Sequence, residues 1–176
     1  MIEPPPEIIY WAYTEYQPTY DDLKSIGKVR FVEGIPDLNE LKMNPTTPKL
    51  LVLDDLMQEM SKDKRLIELF TRGCHHWNVS AIHIVQNAFF AGLRTSRINA
   101  QYLVLMKNPA DKLQVQTLCR QLFLGSKHFI EAYNHSTETP FGYLLVDLSQ
   151  TTPELLRLRT NIFPDDSFQM VYTSKV

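Results

Sequence analysis

Short apolar runs recur along the chain, separated by stretches with helical spacing. Runs that are apolar throughout read as strands covered on both faces, and such strands spaced by helices indicate a parallel sheet. Glu7–Thr14 (EIIYWAYT) reads as the first strand. A short helix is expected over Thr19–Gly27, capped by Thr19 and stopped by Gly27. Lys28–Gly34 (KVRFVEG) is the second strand. Asp37–Lys42 is a helical turn with Asp37 and Glu40 in capping-box spacing. Pro45 and Pro48 mark a loop before the strand Leu50–Asp55 (LLVLDD). Ser61–Gly73 is expected as a helix packed through Leu66, Ile67 and Phe70 and ended at Gly73.

Ser80–Asn87 (SAIHIVQN) and Ala100–Asn108 (AQYLVLMKN) continue the strand series. The next helix is announced by Asn108 as cap, Pro109 at the first position and Asp111 in the first turn. Its apolar stripe is Val115, Leu118, Cys119 and Leu122, at i, i+3, i+4 and i+7. The pattern then changes. Phe141–Ser149 and Leu155–Phe163 are two strands joined by the turn QTTPE. Leu156, Leu158, Thr160 and Ile162 alternate with Arg157, Arg159 and Asn161, which predicts an antiparallel hairpin on the sheet edge with one wet face. Phe168–Lys175 is expected to add a last strand. The class is α/β, mainly parallel, with an antiparallel C-terminal margin.

The 176 residues suit one domain, 1–176, large enough for a core. A net charge of -2 and a pI near 6.2 argue against wholesale coating of nucleic acid, which needs a basic face. Two cysteines are too few for a disulfide framework, so a reducing compartment is expected. No apolar run approaches the roughly 20 residues of a membrane span, and MIEPPPEIIYW lacks the basic start of a signal peptide.

Ligands of open α/β sheets bind beyond the carboxyl ends of the parallel strands. Three expected strand ends are polar: Asp54-Asp55, Gln86-Asn87 and Lys107-Asn108. Adjacent carboxylates repel unless a cation or proton joins them. A phosphoacceptor receiver domain would use such a pair for Mg²⁺ and a lysine before a proline, as in Lys107-Asn108-Pro109. It also needs an aspartate at the strand end where Gln86-Asn87 stands, and its acidic pair belongs on the first strand. A nucleoside triphosphatase fits better. Asp54 then holds Mg²⁺ and Asp55 polarises the attacking water. Gln86 senses the γ-phosphate or positions that water. Arg94 and Arg97 are candidates for a finger reaching a neighbouring subunit; taken alone, either reads first as a solvated surface residue.

Several segments, in order and across nearly the whole chain, resemble the packaging-type ATPases of the FtsK/HerA superfamily. They are EPPPEIIYWAYTEYQPTYDDL, FVEGIPDL, LLVLDDLM, ELFTRGCHHWNVSAIHIVQNAFF, RTSRINAQYLVLMKNPAD and PFGYLLVDLSQTTPELLRLRTNIFP. The similarity is greatest to the DNA-packaging ATPases of Maverick/Polinton-like elements and related DNA viruses. The resemblance implies a RecA-like sheet, a homo-oligomeric ring, ATP with Mg²⁺ as cofactors, and double-stranded DNA driven into a viral or element capsid. It implies an intracellular setting, in host nucleus or cytoplasm or with the virion, and no membrane. It assigns Asp54 to Mg²⁺, Asp55 to water activation and Gln86 to sensing, with Asp54 and Asp55 facing the nucleotide. Arg94 ranks before Arg97 as finger.

One departure is large. The family begins with a strand and a Walker A loop of the type G-x-x-x-x-G-K-[ST], whose backbone N–H groups and lysine wrap phosphates. None of the six glycines here lies in that pattern; Gly27-Lys28 and Gly125-Ser126-Lys127 come nearest. The chain is therefore expected to start after the loop, through a misassigned start, a decayed copy or a truncation. Two flanking strands would then expose unpaired edges, and this chain alone is expected not to hydrolyse ATP. The alternative is a non-enzymatic module that forms rings or binds DNA.

Smaller features have plainer readings. Cys74-His75-His76 lacks the usual zinc spacings. Cys119 reads as packing and His83 as a hydrogen-bonded core histidine. Trp11, Tyr13 and Tyr16 read first as a packed strand surface and second as a base-stacking platform. Arg157 and Arg159 read as a solvated face, with DNA phosphates or neighbouring subunits as the alternative.

Overall fold

The computed structural model describes residues 2–174, except for the side chains of residues 60–62 and 64. Two compact units, Met1–Asn99 and Ala100–Val176, share the residues expected of one domain.

The first unit is built on a parallel sheet of β1 (Ile8–Tyr13), β2 (Val29–Glu33), β3 (Lys49–Asp54) and β4 (Val79–Ile84), in the order β2-β1-β3-β4. Alternation sorts β1 between two faces. Tyr10 and Ala12 enter a core with Leu51, Leu53 and Val79. That face is covered by Leu38 and Leu41 of α2 (Leu38–Lys42) and by Leu66 of α4 (Lys64–Glu68). Trp11 and Tyr13 lie on the other face. There Tyr20, from α1 (Tyr20–Lys24), stacks on Phe31 with ring centroids 5.5 Å apart. β3 is buried from Lys49 to Leu53 because both its faces are covered. Lys49 tolerates burial because its ammonium donates to the carbonyls of Asn44, Thr47 and Trp77 at 3.0, 3.2 and 3.0 Å.

The helix expected to end at Gly73 does not end there. α3 (Met57–Lys62) and α4 run into a π-helical turn, Leu69–Gly73, and then α5 (Cys74–His76). Gly73 has helical φ of -60. Its role is steric: a Cβ there would meet the Trp77 ring at 2.6 Å. Ile67, expected in the core, is exposed, because the apolar side of the segment is carried by Leu66, Leu69 and Phe70. Asp37 caps α2 as expected, accepting from the Asn39 N–H at 2.9 Å, whereas Thr19 makes no side-chain cap on α1. α6 (Arg94–Asn99) closes the unit.

The second unit corrects one expectation. β5 (Tyr102–Met106), expected in the parallel sheet, pairs antiparallel with β6 (Tyr143–Asp147). β7 (Leu158–Thr160) and β8 (Met170–Val171) follow in a separate antiparallel sheet, β5-β6-β7-β8. The hairpin of β6 and β7 and the added final strand are therefore present. Lys175, the end of that expected strand, lies outside the described residues. Leu103, Leu105, Leu144, Val146 and Leu158 form the core with Val115 and Cys119 of α7 (Lys112–Phe123) and Phe129 and Ala132 of α8 (Lys127–Ser136). α7 starts later than expected. Asp111 caps it, accepting from Gln114 N–H, while Asn108 holds the preceding turn through Ala110 and Asp111 N–H.

Arg157 and Arg159 do not form a wet face. The Arg157 guanidinium donates to the carbonyls of Asp147 and Ser149 at 3.0 and 3.1 Å, and Arg159 pairs with the buried Asp147 carboxylate. These partners at the end of β6 and in the turn after it hold both side chains mostly out of solvent.

Candidate functional site

The carboxyl ends of β1, β3 and β4 lie side by side, since the three strands run parallel with Tyr13 opposite Asp54 and Asp54 opposite Ile84. Asp54 at the end of β3, Asp55 just after it and the Gln86 that follows β4 therefore reach one end of one sheet. Asp54 is the last strand residue, half-buried. Asp55 leaves the strand at φ 55 and is exposed. The reversal sends adjacent carboxylates to different partners. Asp54 Oδ2 accepts from the Tyr20 hydroxyl at 2.7 Å and from the Trp11 indole N–H at 3.3 Å. Asp55 accepts from the Gln86 amide at 3.3 and 3.2 Å. Its backbone is tied on both sides: its N–H donates to the Ile84 carbonyl at 3.4 Å, and its carbonyl accepts from the Thr14 hydroxyl at 2.9 Å.

These contacts divide the chemistry. Asp54 is a positioned acceptor within an aromatic cluster. Burial, and next the hydrogen bond to Asp54, push the Tyr20 hydroxyl up to about 12, so it remains a donor at neutral pH. Asp55, exposed and bonded to one amide, retains free acceptor capacity for a water or hydroxyl proton. Gln86 fixes the direction of that carboxylate. Tyr20 and Thr14 also belong to this end of the sheet, and no motif in the sequence marks them. Their signal is position alone, in the segment just after β1.

The other expected site residues are distributed elsewhere. Arg94 opens α6 and is exposed; the Arg97 guanidinium lies 4.5 Å from the Phe89 ring centroid. Asn87 accepts from Phe89 N–H and shapes the turn after Gln86. Lys107 and Asn108 follow β5 in the second sheet, so they do not share the parallel sheet end expected of them. Trp11, Tyr13 and Tyr16 pack with Tyr20.

His83 stacks on Phe70, and its Nε2 is buried without a hydrogen-bond partner, unlike the bonded core histidine expected. Burial lowers its pKa to about 4. Burial also raises the Cys74 thiol to about 11. Among the described residues, no group of three or more His, Cys, Asp or Glu side chains gathers as a metal ligand set, at Cys74-His75-His76 or elsewhere. Among them, too, no helix is long and apolar enough to cross a membrane.

The residues described do not by themselves fit a nucleoside triphosphate with its magnesium. The strand ends offer two carboxylates and an amide but no cradle of backbone donors. Gly27, with φ 71, precedes β2 and so lies toward the amino ends of the strands, opposite Asp55; Gly125 belongs to the second unit. No protein-family profile, curated protein or solved structure matches this chain.

Proposed function

We propose that the chain is the acidic, sensor-bearing part of an ATP-driven motor that packages double-stranded DNA, related to the FtsK/HerA ATPases and working as a homo-oligomeric ring at a capsid. The reading rests on the sequence resemblance, and one observation carries it structurally. Asp55 and Gln86, assigned to water activation and sensing, are hydrogen-bonded across the carboxyl ends of adjacent parallel strands. Asp54 is proposed as the magnesium ligand, Arg94 as the first candidate finger and Arg97 as the second. Without a phosphate loop the chain is proposed to be inactive alone, and no chemical step is assigned to it.

Two samples test the reading: the chain as given, and the chain preceded by a strand and a G-x-x-x-x-G-K-T loop taken from a packaging ATPase. The first should show no steady ATP hydrolysis. The second should show DNA-stimulated turnover that Asp55→Asn lowers by about 10²-fold or more. Turnover by the first sample, or indifference of the second to Asp55→Asn, would reject it.

A further inference from the structure

Asp55 and Gln86 lie at the carboxyl ends of the parallel strands; the amino ends frame a cavity. α2 runs back from the end of β2 to the start of β3, over the face that holds Tyr10 and Leu51. A helix rises about 1.5 Å per residue and a strand about 3.3 Å. The five residues of α2 therefore cover only part of the six-residue β1. Where the helix gives out, a cavity of about 400 Å³ opens between the strand starts and the chain after α2. That volume lies in the range of small-molecule sites, roughly 300–1,000 Å³.

Register sets the floor of the cavity. Tyr10 is opposite Arg30 of β2, and Ile8 is opposite Lys49 of β3. Alternation places these four side chains on the α2 side of the sheet. Glu40 and Met43 stand on the facing wall. That wall is pinned to the floor. Lys49 spends its three N–H donors on carbonyls, and two of them, Asn44 and Thr47, belong to the wall. The cavity is thus preformed.

Three charges line it, and among the described residues none is paired with an opposite charge. Lys49 is only 3% exposed. Burial lowers its pKa, with no carboxylate to offset the shift. The Arg30 guanidinium rests 5.7 Å from the Tyr10 ring centroid and has no carboxylate partner. Glu40, across the cavity, has no cationic one. Charges at a desolvated site are ordinarily paired. Here two cations stand on the floor and one anion on the wall, with apolar surface from Ile8 and Met43 beside them.

We propose that this cavity binds a free α-amino acid with an apolar side chain, its carboxylate on Arg30 and its ammonium on Glu40. Opposed, unpaired charges select a zwitterion. The arginine fork matches a carboxylate, and a carboxylate such as Glu40 accepts from an ammonium. Lys49 has no donor left, so it adds positive charge to the floor without touching the ligand. Ile8 and the adaptable Met43 take the apolar side chain. The site lies at the other end of the sheet from Asp55 and Gln86, and the inference does not depend on the function proposed above.

The chain is titrated with L-phenylalanine and, separately, with L-leucine while backbone amide shifts are followed. Saturable shifts are expected at Tyr10, Arg30 and Glu40. Phenylpropanoate lacks the ammonium of phenylalanine and phenethylamine lacks its carboxylate, so each should bind about tenfold more weakly or worse. Arg30 and Glu40 are both exposed, so Arg30→Gln and Glu40→Gln should fold. Arg30→Gln should weaken phenylalanine by a similar factor and leave phenethylamine unchanged. Glu40→Gln should weaken phenylalanine and leave phenylpropanoate at least as tight. No saturable shift with either amino acid, phenylpropanoate binding as tightly as phenylalanine, or indifference of phenylalanine to either variant would each overturn the proposal.

Discussion

Asp54 and Asp55 are consecutive, yet the positive φ of Asp55 parts their carboxylates, one to Tyr20 and Trp11 and the other to Gln86. Each acid thus has its own donors, which relieves the repulsion expected of neighbouring carboxylates. It also makes the site a test of individual bonds.

Tyr20→Phe removes the 2.7 Å donor to Asp54 while keeping the ring that stacks on Phe31. A hydrogen bond to a charged group contributes roughly 1.5–3 kcal/mol, and a loss of that size is expected in urea unfolding. The variant also has a pH signature. The Tyr20 hydroxyl titrates near 10 when unfolded and about 12 when folded, chiefly through burial. The unfolded chain therefore holds fewer protons in that window, and stability should fall as pH rises from about 10 to about 12. Tyr20→Phe should remove this decline; an identical alkaline slope in both proteins would contradict the assignment.

His83 gives the opposite edge of the pH profile. Burial lowers its pKa from 6.5 to about 4, so between those values the unfolded chain binds the extra proton. Stability should be full above about 6.5 and decline as pH falls toward about 4. His83→Phe keeps a ring against Phe70 and deletes the buried Nε2 that has no partner. Unfolding midpoints of the two proteins should diverge on acidification, with the variant the more stable. Parallel curves would show that His83 is not the group responsible.

The four parallel strands were legible because runs such as LLVL are apolar on both faces. The pairing of β5 was not. Tyr102, Val104 and Met106 are as apolar as Leu103 and Leu105, so the run reads as a doubly buried strand although the first three are about half exposed. Among the helices, α8 is not legible in the sequence because its buried stripe includes Ala132 and Ser136 beside Phe129, too small and polar to mark a period. The start of α7 is ambiguous in the sequence because Asn108 and Asp111 are both good caps, and only the folded chain shows which one bonds Gln114. At the site, Asp55 and Gln86 were legible as strand ends. The bond from Tyr20 to Asp54 was not, since it spans 34 positions and depends on α1 folding back over β1.

Gly73→Ala sets two effects against each other. Replacing a helical glycine by alanine favours the helix by roughly 0.5–1 kcal/mol. Here the added Cβ would lie 2.6–2.8 Å from three atoms of the Trp77 ring. Forcing a methyl into packed space costs typically about 1–3 kcal/mol, so net destabilisation is expected. Trp77 must move to relieve the contact, and its ring lies 4.9 Å from the Lys42 ammonium. A shift in tryptophan emission should accompany the lower midpoint. A variant with raised stability and unchanged emission would mean that the ring yields freely.

Asp147 is buried in the second unit, and both of its carboxylate oxygens have partners. Arg159 pairs with one carboxylate oxygen and Ser149 N–H donates to the other at 3.0 Å. Arg157 grips the same turn through the Asp147 and Ser149 carbonyls and through Glu154. Asp147→Asn keeps the shape but leaves Arg159, only 24% exposed, without its counter-charge. Removing one partner of a buried pair costs about 3–5 kcal/mol, whereas replacing both by apolar groups is often close to neutral. The single variant should therefore lose about 3 kcal/mol or more in urea unfolding. Asp147→Leu combined with Arg159→Met should recover at least half of that loss, a non-additivity expected only of contacting partners. If the double variant is instead the sum of the two single ones, the pair is not coupled and the arginines hold the hairpin through their carbonyl contacts alone.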